Sequence, residues 1–125
     1  MNLVSVIIIT KNHSKYLLRC IKSILKQSYK NIKLGSQNCD SELSAPLTGG
    51  TNTLMLEDIG CEFVIIGHSE NRKRGENNKL INQKIKSALK ARLKIIFCIG
   101  ETLAQKRKKK TRIILSKQIK DGLYK

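Results

Sequence analysis

Residues 61–70 read Cys-Glu-Phe-Val-Ile-Ile-Gly-His-Ser-Glu, and this stretch decides the fold. Its apolar run lies between Gly60 and Gly67 and is rich in β-branched residues, which predicts a short strand buried on both faces. Such a strand is typical of a parallel sheet covered by helices. His68 follows the strand directly, at the position where α/β folds bind ligands. His68 is therefore a candidate catalytic residue, although the position alone fits a capped loop histidine equally well.

The length and the cysteines narrow the class of protein. The 125 residues are about half of a typical (β/α)₈ barrel. No apolar run reaches the roughly 18 to 20 residues of a membrane span, and no secretion signal precedes the first apolar run. The cysteines are far apart and lack the spacing of zinc ligands, which predicts reduced thiols, a cytoplasmic location and no bound metal. They are Cys20, Cys39, Cys61 and Cys98.

The positive charge is concentrated at the two ends of the chain, and the formal net charge is +16. Residues 1–33 contain seven basic and no acidic residues, and residues 104–125 contain nine basic residues and one acidic residue. Residues 34–103 are nearly neutral, with nine basic and eight acidic residues. This distribution is compatible with a nucleic acid or an anionic membrane surface as a partner. It is equally compatible with a codon bias that favours Lys, Ile and Asn.

Strand-like and helical patterns alternate along the chain. The predicted strands are residues 3–9, 32–34, 61–66 and 93–99. The predicted helices are residues 15–27, about 53–59, about 78–89 and about 111–123. This alternation predicts an α/β fold with an open parallel sheet of about four strands, joined by right-handed crossovers through helices.

Polar residues and one glycine mark the predicted helix ends. Ser14 is a predicted N-cap of the first helix. Thr51 or Thr53 is predicted to cap the second, and Asn77 or Asn78 is predicted to cap the third. Gly60 is predicted to end the second helix in the left-handed conformation.

The first strand and helix contain a specific pattern of residues. It consists of Val4, Ser5, Val6, Ile7, Ile8, Thr10, Asn12, Tyr16, Leu17, Cys20, Ile21, Ser23, Ile24, Leu25, Gln27, Tyr29, Asn31 and Ile32. This pattern resembles the opening strand and helix of the family 2 glycosyltransferases. The resemblance implies a nucleotide-sugar ligand and divides the chain into a segment of residues 1–32 and a second segment of residues 33–125.

A second pattern begins at about residue 32. Its segments are residues 34–38, 48–49, 55–60, 64–70, 72, 76, 84–89 and 98–103. In this order and spacing, they resemble the triosephosphate isomerases. The resemblance implies a partial (β/α)₈ barrel that comprises units three to five over residues 33–125. It also implies interconversion of glyceraldehyde 3-phosphate and dihydroxyacetone phosphate, in glycolysis and gluconeogenesis, without a cofactor or a metal.

The resemblance assigns roles to residues around the strand of residues 61–66. His68 would be the neutral electrophile that polarises the substrate carbonyl, a role for which this enzyme family is itself the reference case. Ser69 and Glu70 would lie beside it in the catalytic site. Arg72 and Cys98 would be structural residues near the site.

Other parts of the isomerase site are missing from the sequence or belong to a partner. Thr48 would lie in the loop that inserts into the partner subunit of a homodimer. The catalytic lysine, the glutamate base and the glycine-rich phosphate site of the family have no counterpart in these residues. Loss of a general base alone costs about 10²- to 10⁴-fold in rate. The sequence therefore predicts a fragment that is inactive as this chain, with two unpaired sheet edges.

Two other functions remain as alternatives. A nucleotide-sugar binding remnant would rest on residues 1–32, but the aspartates that hold the metal and diphosphate in that family do not follow. A basic nucleic-acid-binding module would rest on residues 106–110 and on the basic face of the first helix. The chain has few aromatic residues, and none is interleaved with residues 106–110, which argues against nucleic-acid recognition by stacking. A solvated loop explains this basic run more simply.

Overall fold

The computed structural model describes residues 4–7, 14–28, 32–44 and 50–124, which form four strands and six helices. The strands are β1 (Val4–Ile7), β2 (Ile32–Ser36), β3 (Phe63–Ile66) and β4 (Lys94–Phe97). The helices are α1 (Ser14–Leu25), α2 (Thr53–Asp58), α3 (Ser69–Lys73), α4 (Asn78–Lys90), α5 (Leu103–Arg107) and α6 (Thr111–Leu123).

The strands form one parallel sheet in the order β1-β2-β3-β4. Val4 pairs with Ile32 at one edge, and Phe63 pairs with Lys94 at the other. Each strand thus pairs with its neighbours in sequence, as in one half of a (β/α)₈ barrel. The predicted fold class, a partial barrel with an open parallel sheet of four strands, is confirmed.

The core lies between the sheet and α4. Val64 and Ile66 of β3 are fully buried in one cluster with Ile81, Ile85 and Ala88. A fully buried branched side chain of this kind stabilises the fold by about 1.5 to 3 kcal/mol. Every second side chain of β3 and β4 points to the same face of the sheet, and these side chains pack that face against α4.

The opposite face of the sheet is only partly covered. Phe63 lies over Gly35 of the neighbouring strand, where an added Cβ would be 2.0 Å from the Phe63 ring. Ile65 is half-buried and Ile96 is exposed, because the described residues place no further element over them. The expectation that β3 is buried on both faces thus holds for Phe63, Val64 and Ile66, and only in part for Ile65.

The helix ends correct one prediction and refine others. Asn52, and neither Thr51 nor Thr53, caps α2, because its Oδ1 accepts a hydrogen bond from the Met55 amide. Asn77 caps α4, in agreement with one of the two predicted alternatives. Gly60 has φ +85°, as predicted.

The basic run at residues 106–110 is exposed throughout. Its first part belongs to α5, and its remainder forms the turn before α6. The prediction of a loop over the whole run is therefore wrong. None of the helices in the described part of the chain is long and apolar enough to cross a membrane.

Candidate active site

The carboxyl ends of β3 and β4 approach each other closely. The Cys98 amide donates a hydrogen bond to the Ile66 carbonyl at 2.8 Å. Gly67 follows with φ +80°, and a Cβ built on it would lie 2.8 Å from the Cys98 carbonyl oxygen. A side chain at residue 67 would therefore be strained in conformation and would push the two strand ends apart. This glycine fixes where the next residue, His68, leaves the sheet.

His68 is exposed and caps the short helix α3. Its Nδ1 accepts a hydrogen bond from the Glu70 amide at 3.5 Å. An imidazole nitrogen that accepts a hydrogen bond carries no proton, so in the neutral ring the proton is on Nε2. The cap thus selects the tautomer in which Nε2 is a hydrogen-bond donor.

Arg72 ties the two strand ends to α4. Its Nε donates to the Gly67 carbonyl at 2.7 Å, and its Nη2 donates to the Cys98 carbonyl at 3.2 Å. Its Nη1 donates to Asn78 Oδ1 at 2.8 Å. Burial lowers the pKa of the guanidinium from its ordinary value, and the Glu76 carboxylate opposes this shift. Arg72 stays protonated at neutral pH and holds the backbone on which His68 is mounted.

The contacts of Arg72 continue into α6. Asn78 Nδ2 donates to Asp121 Oδ2 at 2.9 Å, and Lys117 lies 3.3 Å from the same carboxylate oxygen. The hydrogen bond from Asn78 is the main cause that holds the pKa of Asp121 below its usual value. The position of α6 is thereby connected to the end of β3 through two side chains.

A buried charged cluster lies beneath the loops that follow β2 and α3. Lys84 Nζ contacts Glu76 Oε1 at 2.5 Å and Asn38 Oδ1 at 3.1 Å. The Lys84 and Glu76 side chains are only 7% and 11% exposed. No local sequence pattern indicates this cluster, because its members are 8 to 46 residues apart. Lys84 could have been noticed, since it falls between Ile81 and Ile85 on the apolar face of α4.

The structure brings most of the predicted site residues together. His68, Ser69 and Glu70 form the start of α3, and Arg72 joins them to Cys98 through the carbonyl of that residue. Cys98 is half-buried, and its thiol is free. Thr48 lies outside the described residues.

Comparison with known proteins gives one family over almost the whole chain. The family model of the triosephosphate isomerases matches residues 3–125. The triosephosphate isomerase of Thermodesulfovibrio yellowstonii is 47% identical over 106 residues, which are 83% of this chain and 43% of that protein. That of Geobacter metallireducens is 48% identical over 94 residues, 74% of this chain and 38% of that protein.

A solved structure gives the same result. The triosephosphate isomerase of Bartonella henselae superposes with a TM-score of 0.79 at 32% identity, over 97% of this chain and 48% of that one. The chain thus spans less than half the length of these relatives. The family match includes residues 3–32, so the glycosyltransferase resemblance of that segment receives no support.

Proposed function

Because this chain belongs to the triosephosphate isomerase family, we propose that it provides the electrophilic part of a triosephosphate isomerase site, centred on His68. The observation that carries this proposal is the position of His68. It caps α3 directly after β3, beside the end of β4. This is the end of a parallel sheet at which barrel enzymes carry out their chemistry.

The tautomer of His68 suits the proposed role. Its Nδ1 accepts from the Glu70 amide, so Nε2–H is free to donate to the carbonyl oxygen of a bound triose phosphate. Such a donor stabilises the negative charge that develops on that oxygen when a base removes the neighbouring C–H proton. In this family the group that polarises the substrate carbonyl is a neutral imidazole. Gly67 and Arg72 hold the backbone of His68 in place.

We propose further that the 125 residues alone do not turn over substrate. In the family a carboxylate on a later strand moves the proton, and the sequence has no counterpart of that strand. Glu76, whose side chain is nearly buried, is engaged by Lys84 and Asn38. The electrophile would thus polarise a substrate that no base deprotonates.

The proposed relation to a partner and to a compartment follows the family resemblance. Thr48 would contribute to a homodimer, and the widely spaced free thiols suit a reducing cytoplasm. These assignments rest on the sequence pattern and stay predictions.

A segment exchange tests whether His68 is competent. The part of the Thermodesulfovibrio yellowstonii enzyme that this chain matches would be replaced by the matching residues of this chain. We expect the hybrid to interconvert the triose phosphates. His68→Gln should lower its kcat by about 10²- to 10³-fold, because one hydrogen-bond donor to the developing oxyanion is lost.

Two controls complete this experiment. Lys86→Gln changes an exposed residue of α4 and should leave the kcat of the hybrid unchanged. The 125-residue chain alone should give no isomerisation above the buffer rate. A folded hybrid whose activity survives His68→Gln would contradict the proposed role, and activity of the chain alone would contradict its proposed incompleteness.

A further inference from the structure

Arg72 is a half-buried cation that forms no direct ion pair with the carboxylates of the described residues. Glu76 acts on it through space, but the Oε1 of Glu76 is engaged by Lys84. The guanidinium donates instead to neutral oxygens, which are two backbone carbonyls at the ends of β3 and β4 and the side chain of Asn78. A cation removed from water is costly unless an anion offsets it. An anion that acts across one of these oxygens would therefore stabilise Arg72.

Asn78 connects Arg72 to such an anion. Its Oδ1 accepts from Arg72 Nη1 at 2.8 Å, and its Nδ2 donates to Asp121 Oδ2 at 2.9 Å. An arginine only donates hydrogen bonds and an ionised carboxylate only accepts them, so a side chain that joins the two has to do both. The Asn78 amide does so and is polarised from both ends, because consecutive hydrogen bonds strengthen one another.

The packing of α6 on α4 holds Asp121 in place. Asn82 Nδ2 donates to the Gly122 carbonyl at 2.8 Å, which fixes the next residue of α6 against α4. Gly122 also packs on Phe97, where an added Cβ would be 2.6 Å from the ring. Lys117 approaches the same Asp121 oxygen at 3.3 Å, but its side chain is 68% exposed, and a surface pair of this kind contributes little. The position of Asp121 is therefore set by tertiary contacts.

Arg72 holds the peptide units on both sides of His68. Its Nε donates to the Gly67 carbonyl at 2.7 Å, and its backbone amide donates to the His68 carbonyl at 3.0 Å. A shift of the guanidinium would thus be passed to the backbone that carries the imidazole. Such a shift matters for a catalytic group, because a displacement of about 1 Å can cost about 10²-fold in rate.

We propose that Asp121 is a positioning residue for His68, which it influences through the Asn78 amide and the Arg72 guanidinium. These three side chains are here called the Asp121 network. The inference rests on the proposed function, because it names a further residue on which the electrophile depends. Without the carboxylate, water competes more strongly for the half-buried guanidinium, and the two strand-end carbonyls lose part of its hold.

The hybrid enzyme described above tests the Asp121 network by its kinetics. Asp121→Ala should lower kcat by about 3- to 30-fold and leave KM within about twofold, because the network acts on the electrophile and not on the phosphate site. Asp121→Asn keeps an acceptor for the Asn78 amide and should have a smaller effect. Lys117→Gln removes the exposed partner of the same carboxylate and should leave kcat unchanged. An unchanged kcat in Asp121→Ala, or an equal loss in Lys117→Gln, would overturn the proposal.

A second background separates the network from a general effect on helix packing. Asn78→Asp places a carboxylate directly on the Arg72 guanidinium, which then no longer depends on Asp121. In this background Asp121→Ala should change kcat by less than about twofold, and the double-mutant cycle measures the coupling of the two sites. A loss of the same size in both backgrounds would mean that Asp121 acts through the packing of α6, and the network would be refuted.

The ring nitrogens of His68 report on the network without turnover. With Nδ1 bonded to the Glu70 amide the ring has one neutral tautomer, whose two nitrogens differ widely in ¹⁵N chemical shift. In the 125-residue chain, Asp121→Ala should bring the two shifts closer together, and Lys117→Gln should not. His68→Gln assigns the resonances.

These shifts also separate this proposal from the proposed function. Activity of the hybrid that survives His68→Gln would remove the proposed function, while shifts that respond to Asp121→Ala would still support the Asp121 network. Shifts that stay unchanged in Asp121→Ala would overturn the network and leave the role of His68 standing.

Discussion

Lys84 shows how a single residue can combine a charge with the core. It lies on the apolar face of α4, between Ile81 and Ile85, and it is almost fully buried. Its ammonium contacts the Glu76 carboxylate and the Asn38 side-chain oxygen, so the charge is compensated. This arrangement ties the loop after β2 to the loop after α3, on the same edge of the sheet as His68.

Replacement of Lys84 should be costly. Lys84→Ala leaves the buried Glu76 carboxylate without its positively charged partner, with only the Asn38 amide as a donor, and we expect a loss of about 3 to 5 kcal/mol in the free energy of unfolding. Urea unfolding would measure it. Lys86→Ala, on the exposed side of the same helix, should change stability by less than about 0.5 kcal/mol. Similar effects of the two changes would mean that the buried pair does not stabilise the fold.

Cys39 should be the most inert thiol at neutral pH. Burial raises its pKa to about 12, with Lys84 opposing the shift and Asp40 adding to it. Because only the thiolate reacts, iodoacetamide at about pH 8 should modify the exposed Cys20 first and spare Cys39 until the chain unfolds. Peptide mapping by mass spectrometry would follow each thiol. Early modification of Cys39 in the folded chain would contradict its burial.

The same shift predicts a loss of stability at alkaline pH. The pKa of the folded thiol lies above that of the unfolded thiol, which is near 9. The stabilisation is therefore complete below about pH 9 and is lost as the pH rises towards about 12. Cys39→Ser, measured beside the parent chain, should flatten this part of the pH profile.

At the scale of the elements, local sequence determined where helices and strands form, and packing determined their ends. Thr51, Asn52 and Thr53 are all able to cap a helix. Thr53 is fully buried, and its hydroxyl lies 2.9 Å from the Ser87 hydroxyl of α4. The two residues are 34 positions apart in the sequence. The start of α2 after Asn52 therefore depends on a tertiary contact that the local sequence does not reveal.

The cap of α2 gives a direct prediction. Asn52→Ala removes the hydrogen bond to the Met55 amide and should cost about 0.5 to 2 kcal/mol of unfolding free energy. Thr51→Ala changes the exposed neighbour and should be close to neutral. Thermal unfolding followed by circular dichroism would compare them. A larger effect of Thr51→Ala than of Asn52→Ala would mean that Thr51 caps α2, which is one of the two alternatives that the sequence predicted.

At the scale of the whole molecule, charge opposes compactness. The net charge of +16 is concentrated in the two end segments, while the segment that contains β3 and α4 is nearly neutral. Self-repulsion of this kind destabilises a folded chain and is screened within about 8 Å at physiological salt. The end segments should therefore respond to salt more than the core.

Added salt should stabilise the chain. Raising NaCl from about 0.02 to 0.3 M should raise the urea midpoint, because the Debye length falls below the spacing of many basic side chains. The combined change of Lys106, Lys108 and Lys110 to Gln, all exposed residues, should make this response smaller. A midpoint that falls with salt would mean that attraction between charges outweighs repulsion.

The sequence by itself determined the class of fold, the position of His68 and the family of residues 33–125, whereas the pattern of residues 1–32 pointed to a different family that the comparison does not support. Alternating apolar runs specify strands and helices through local periodicity. The segment of residues 64–70, which includes His68, is contiguous in the chain, so its pattern can be recognised from the sequence alone. Only the tertiary structure decided which residues surround His68 and which residue caps each helix. Arg72 reaches Cys98 over 26 residues, and Lys84 reaches Asn38 over 46 residues. Such contacts depend on how the strands are ordered in the sheet, which local periodicity does not encode.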